Sequence, residues 1–231
     1  MATFKAKLLE TIQETPRVKL LRFARPASFD FKPGQFITAS IEGLKGPHGE
    51  TVKRSYSIAS SPHDKDYIEL CVARAETGLF SNALHKHKHG EEVIITGPYG
   101  VFQLREPVHP NTTFVAGGSG IAPIRSMIRT HMHRGEKTNL FYGFRSPEEF
   151  IYRKELTQLA AKGKIKLFLT IDKPAKGWKD EVGYVSELPA KHANYEKTDA
   201  YICGPPAMVT ATIKALTELG FDQKRIYREQ W

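Results

Sequence analysis

Apolar and polar positions change rhythm partway along the chain. Up to about residue 96, apolar residues come in short runs of alternating or β-branched character, at 4–9, 17–24, 35–41, 54–59, 67–74 and 91–96. Pro33-Gly34, Gly43, Gly46-Pro47, Ser61-Pro62 and Gly97-Pro98 punctuate them. Short strands separated by turn signals predict an antiparallel barrel, an arrangement that also removes exposed sheet edges. From residue 112 the pattern becomes strand-then-helix. A buried strand at 112–116 leads through Gly117-Gly118 into a helical period over about 123–133. The cycle repeats as strand 138–143, helix near 148–161 and strand 165–171. It returns as strand 199–203, helix 206–219 and a short strand near 225–229. This alternation predicts a parallel sheet covered on both faces. Pro107, Pro110 and Asn111 mark a linker at 104–111, which divides the chain into domains 1–107 and 108–231.

Composition narrows the function classes. A length of 231 residues suits one large or two small domains. The net charge of +9 is spread over both halves without an arginine-rich arm, so no motif supports nucleic-acid binding. An acidic protein partner, a phosphate-bearing cofactor and a plainly soluble basic surface all fit that charge. The two cysteines, Cys71 and Cys203, cannot supply the four thiolates of an iron–sulfur cluster. Residues 1–7 lack the apolar core of a secretory signal and no apolar run reaches membrane-spanning length, so a cytoplasmic protein away from membranes is expected. His85, His87 and His89 alternate with Lys86 and Lys88, but no cysteine or carboxylate completes a metal set. The segment reads as a solvated basic loop, with no metal site expected.

Five segments carry chemistry. In Arg54-Ser55-Tyr56-Ser57 a strand points Arg54 and Tyr56 to one face. Arginine forks onto phosphate oxygens and tyrosine offers a rigid flat surface. After strand 70–74, Gly78-Leu79-Phe80-Ser81 combines a helix start with a hydroxyl, which makes an anion site. Gly118-Ser119-Gly120-Ile121-Ala122-Pro123 joins a strand to a helix whose first amides can bind a pyrophosphate; Pro123 stands where a third glycine is usual and suits a first helical turn. Cys203-Gly204-Pro205-Pro206 ends a strand, where ligands sit in open α/β sheets. Beyond strand 138–143, Arg145 and Ser146 can bind a 2′-phosphate, with Arg153 nearby and Tyr152 available to stack on adenine. That points towards NADPH, while the nearby Glu148 and Glu149 leave NADH open. Taken singly, each segment also suits an ordinary strand or helix start.

Their order and spacing together are specific. With Pro33-Gly34-Gln35-Phe36 and Ile95-Thr96-Gly97-Pro98, they make the chain resemble the ferredoxin–NADP reductase superfamily over nearly its whole length. The resemblance implies an antiparallel Greek-key FAD-binding barrel followed by a Rossmann-like nicotinamide-nucleotide domain with a parallel sheet. It assigns Arg54 to the flavin pyrophosphate, Tyr56 to stacking on the isoalloxazine and Ser57 to hydrogen bonding near N5. Cys71 and Val72 would line the ring by backbone. Gly78, Leu79, Phe80 and Ser81 would close over the pyrophosphate, and Cys203 would stand beside the nicotinamide–flavin contact. The ending Arg228-Glu229-Gln230-Trp231 matches the plant-type spacing. That match implies that Trp231 covers the flavin face and that Glu229 transfers a proton or holds Ser57.

The expected activity is hydride exchange between NADP(H) or NAD(H) and FAD, with single electrons passed to an acidic carrier such as ferredoxin, flavodoxin or an oxygenase component. Two alternatives are the reductase component of an oxygenase and a free-flavin reductase. A third, of another class, is an electron-transfer subunit without activity of its own.

Overall fold

The computed structural model describes residues 1–106, 111–132, 137–192 and 198–230, with Asn111 and Lys137 described by backbone only. The centre of the expected linker, 107–110, and Trp231 lie outside the described residues.

In the first half, strands β1 (Ala2–Thr15), β2 (Val18–Ala24), β3 (Phe36–Lys45), β4 (Thr51–Ser57), β5 (Tyr67–Ala73) and β6 (Glu92–Tyr99) form one antiparallel sheet in the order β4-β3-β6-β1-β2-β5. β1 runs past the expected 4–9 because it changes partners. Ala2 to Lys7 pairs with β6, and after a bulge the polar stretch from Glu10 to Thr15 pairs with β2. A bulge bends the strand and lets one chain serve two neighbours. The sheet then curls until its edges meet, with Ile58 bridging Leu70 and the Ala59 N–H donating to the Glu69 carbonyl at 2.9 Å. Helix α1 (Leu79–Lys86) follows β5 and buries Phe80 and Leu84.

In the second half, β7 (Asn111–Gly117), β8 (Lys137–Phe144), β9 (Lys166–Ile171), β10 (Glu181–Val182), β11 (Asp199–Gly204) and β12 (Ile226–Gln230) form a parallel sheet in the order β10-β9-β8-β7-β11-β12. Successive residues of a strand point to opposite faces. Phe114, Tyr142 and Tyr201 face one side with α2 (Ile121–His131) and α3 (Arg153–Ala161); Val115, Phe141 and Ile202 face the other with α4 (Leu188–His192) and α5 (Pro206–Glu218). β10 and α4 have too few residues to show a period in the sequence. The helix expected near 148–161 is instead a 3-10 turn over Pro147–Glu149, a buried Phe150 to Tyr152 link and then α3, because Tyr152 adopts a left-handed backbone (φ 59°) that α-helix cannot contain.

Among the described residues one buried apolar cluster spans both halves, while the barrel interior and the far face of the parallel sheet form clusters of their own. Val18, Leu20, Ala59 and Cys71 of the barrel lie in the same buried cluster as Phe114, Ile124, Met127 and Tyr142 of the second half. Strand order reverses at β7, whose neighbours are β8 and β11. In open α/β sheets the crevice beyond such strand ends receives ligands. Here those ends are Gly117 and Gly204.

Candidate functional site

On the barrel side, β4 exposes Arg54 and half-buries Tyr56 and Ser57. The Tyr56 ring leans on Phe80 of α1, with centroids 6.2 Å apart and planes tilted by 32°. Burial pushes its hydroxyl pKa up to about 12, and Arg54 pulls it partly back. The register set by Ile58 and Leu70 places Tyr56 opposite Val72 across the seam where the barrel edges meet. The Val72 carbonyl is already engaged there, because His85 Nε2 meets it at 2.8 Å. The Cys71 side chain packs into the shared core and burial raises its thiol pKa, so only its backbone can face a ligand. α1 starts at Gly78, whose extended backbone supplies no side-chain cap; Ser81 Oγ accepts from the Ala75 N–H at 3.2 Å and donates to the Gly78 carbonyl at 3.3 Å. A helix start leaves amides without intrahelical partners, which suits an anion between Gly78 and Ser81. His85 and His87 turn to different partners, Val72 and Glu92 carbonyls, and among the described residues no metal-binding group of three His, Cys, Asp or Glu occurs.

Where the barrel meets β12, Ser57 Oγ donates to Glu229 Oε2 at 3.4 Å. Glu229 pairs in register with Cys203 of β11. Burial lifts the Glu229 pKa to about 7, against a smaller lowering by the Ser57 hydrogen bond. The Cys203 thiol is 1% exposed, and burial followed by the Glu229 charge raises its pKa far above the ordinary thiol value. It is therefore a neutral, space-filling group and not a thiolate nucleophile. Gly100 (φ 99°) completes this corner: a Cβ there would lie 3.0 Å from the Phe36 ring and 3.9 Å from Glu229 Oε1. Three elements from both halves thus bring Ser57, Cys203 and Glu229 together.

On the other side, a cavity of about 650 Å³ opens between the halves. Gly117, Gly118, Ser119 and Pro205 form its floor with Met208. A Cβ on Gly117 would sit 2.4 Å from the Met208 sulfur, and one on Gly204 2.7 Å from its methyl. Glycine there lets the sulfur fill the space beneath both turns. Gly118 takes a left-handed backbone (φ 51°), and the buried Tyr142 hydroxyl donates to its carbonyl at 3.0 Å. Gly120 and Pro123 are buried in the first turns leading into α2, so they shape the turn and do not line the cavity.

The cavity wall corrects part of the sequence reading. Arg145 lines it, but Ser146 Oγ donates to Glu148 at 2.6 Å. Arg153 donates to the Pro147 carbonyl and covers the Phe150 ring at 5.4 Å, away from the cavity wall. Tyr152 cannot stack on adenine: it is 3% exposed, its hydroxyl donates to Glu69 at 3.0 Å and Arg125 covers its ring at 4.2 Å. The apolar link before α3 pulls it into the core. Sequence reasoning missed Asp172 and the barrel residues Arg17 and Arg74, all on the cavity wall. Asp172 directly follows β9, so the rule that ligands sit at parallel strand ends would have found it. Arg17 and Arg74 meet only through pairing of β2 with β5, which a sequence does not display.

Residues 5–104 match the family model of the oxidoreductase FAD-binding domain, and residues 114–214 that of the oxidoreductase NAD-binding domain. Ferredoxin–NADP reductase B of Sorangium cellulosum (strain So ce56) is 35% identical, covering 99% of this chain and 97% of that protein. The reductase component of propane 2-monooxygenase from Mycolicibacterium goodii is 31% identical over 91% of this chain, which spans 62% of that longer protein. The crystal structure of a ferredoxin NADP+ reductase from Neisseria gonorrhoeae with bound FAD and NADP is similar in fold, with a TM-score of 0.86 at 24% identity, covering 100% of this chain and 99% of that one.

Proposed function

The chain belongs to the ferredoxin–NADP reductase superfamily, and from that premise we propose that it oxidises a nicotinamide coenzyme through FAD and hands single electrons to a separate acidic carrier protein. FAD, when bound, accepts a two-electron hydride and releases electrons singly, which no side chain here can do. The residues fit that group. Arg54 supplies a fork for its phosphates, Tyr56 a flat wall for its ring, and the start of α1 a set of amides. The cavity, lined by Gly117, Gly118 and Ser119 ahead of α2, has room for a second dinucleotide.

One observation carries the reading: Ser57 of β4, Cys203 of β11 and Glu229 of β12 converge where the barrel meets the parallel sheet. Ser57 Oγ is held by Glu229 and directed at that corner. Glu229, with a pKa of about 7, exists in both protonation states at neutral pH and can hold or release a proton at Oε2. The buried Cys203 fills the space beside Glu229 and keeps water from it. Near-contact alignment of two rings supplies much of the acceleration in such a transfer.

We read the cavity as favouring NADH, on the two carboxylates that stand among its arginines Arg17, Arg74 and Arg145. Arg145 is accompanied there by Glu149 and by Asp172 at the end of β9. A carboxylate at a strand end binds ribose hydroxyls and repels a 2′-phosphate. The likeness to the propane monooxygenase reductase supports a second reading, the reductase component of an oxygenase, which needs its own carrier.

Purification followed by anaerobic reduction tests the proposal. Expected are retained yellow FAD, faster bleaching by NADH than by NADPH, and reoxidation by a one-electron protein acceptor. FAD that washes off freely favours the free-flavin reductase alternative. Bound FAD that neither coenzyme reduces favours the dependent-subunit alternative. Protein that stays colourless with added FAD refutes all three.

A further inference from the structure

The shared apolar core holds the halves together but does not fix their register, since dispersion contacts are non-directional. A polar clamp inside it does. Helix α2, which begins at the glycine turn, presents Arg125, Ser126 and Arg129 to the barrel. Arg125 Nη1 donates to the Ala59 carbonyl and to Glu69 Oε1, both at 2.8 Å, and its Nε donates to Glu155 at 2.8 Å. Ser126 Oγ donates to the Ser60 carbonyl at 2.6 Å, and Arg129 forks onto Asp64 at 2.9 and 3.1 Å. Ala59 and Ser60 are two and three residues past Ser57 on the same extended segment. Glu69 is completely buried on β5 and takes further bonds from Arg22 at 2.7 Å and Tyr152 at 3.0 Å. One end of the clamp therefore carries Tyr56 and Ser57, and the other carries the Gly117–Ser119 turn.

We infer that Arg125 is a positioning residue for hydride transfer: it sets how far the coenzyme-bearing helix stands from the flavin-bearing strand. This rests on the proposed function. Buried ion pairs contribute little net stability compared with apolar replacements, and in some proteins they serve to specify geometry. A misplacement of about 1 Å can cost about 100-fold in rate even when the altered residue is remote from the reacting atoms. The clamp also borders a notch of about 200 Å³ lined by Arg22, Arg125, Tyr152 and Glu155, wide enough for a free guanidinium to enter.

The test uses holoprotein of the wild type and of Arg125→Met, Arg125→Lys and Ser126→Ala, reduced by NADH in a stopped-flow instrument. Expected for Arg125→Met is retained FAD and a limiting reduction rate per bound flavin lowered by about 10- to 100-fold, with the coenzyme dissociation constant changed less than about threefold. Millimolar guanidinium should restore part of that rate. Ser126→Ala should lower the rate less, in the same direction. A purely structural role would reduce FAD content or thermal stability and leave the rate per bound flavin intact; that result overturns the inference. If Arg125→Met does not fold, unchanged limiting rates in both Arg125→Lys and Ser126→Ala overturn it equally. A wild type that NADH cannot bleach refutes the underlying function, an outcome distinct from a bleaching wild type with unaffected variants.

Discussion

The two proposed subsites are built in opposite ways. The barrel subsite is built from side chains on a strand: a fork at Arg54, a plate at Tyr56 and a hydroxyl at Ser57. The cavity subsite is built around the Gly117-Gly118-Ser119 turn and Pro205, with charge added from separate loops by Arg145, Glu149 and Asp172. Side-chain recognition concentrates affinity in a few replaceable groups. Backbone recognition makes the shape hard to alter and leaves selectivity to the loops.

The sharpest way to break this contrast is Tyr56→Ala. Loss of a stacking plate should cost about 1–3 kcal/mol of FAD affinity, read by titrating apoprotein with FAD. Arg54→Ala should weaken FAD as well, with less dependence of affinity on salt than the wild type shows. Equal FAD affinity in all three proteins would remove both residues from the subsite.

Asp172→Ser should come next. The kcat/KM ratio of NADH to NADPH is expected to fall about tenfold, the equivalent of about 1.4 kcal/mol, with FAD content unchanged. A constant ratio would move selectivity elsewhere. Gly118→Ala should cost about 1–2 kcal/mol of stability, because an L-residue is strained at its φ of 51°. It should weaken the coenzyme but spare FAD. Its thermal unfolding and coenzyme titration decide whether backbone conformation at this turn matters.

A further test concerns pH. Glu229 has a folded pKa raised from 4.5 to about 7 by burial. Its protonated form is therefore favoured in the folded state, and its contribution to stability is fully present below 4.5 and lost as pH rises through 7. Glu229→Gln should flatten that decline in denaturant titrations between pH 4.5 and 7. It should also remove any inflection near pH 7 in the reduction rate. A wild-type inflection that survives the substitution belongs to another group.

Much of this was legible in the sequence, for reasons that differ by region. The change from short alternating runs to strand–helix cycles announced both layers, because burial on one or two faces writes itself into residue spacing. Arg54, Tyr56 and Ser57 could be grouped from the sequence because neighbours on a strand are also neighbours in the chain. Tyr152 misled because a tyrosine beside an arginine reads as a surface platform, while its left-handed turn and its bond to Glu69 depend on residues far away in the chain. Asp172, Arg17 and Arg74 converge through strand order and register, which local pattern does not encode. The clamp of Arg125 was hidden for the same reason.

The common core of barrel and sheet has one more consequence. Cys71 and Leu20 are buried against residues such as Met127 and Tyr142 of the other half, so each half, though it has an interior cluster of its own, turns an apolar face to the other. Produced apart, each should expose a greasy face and clump, and the intact chain should melt in a single cooperative step when heated. Swapping one half for that of a relative would therefore demand matching the hidden seam as well as the ligand pocket.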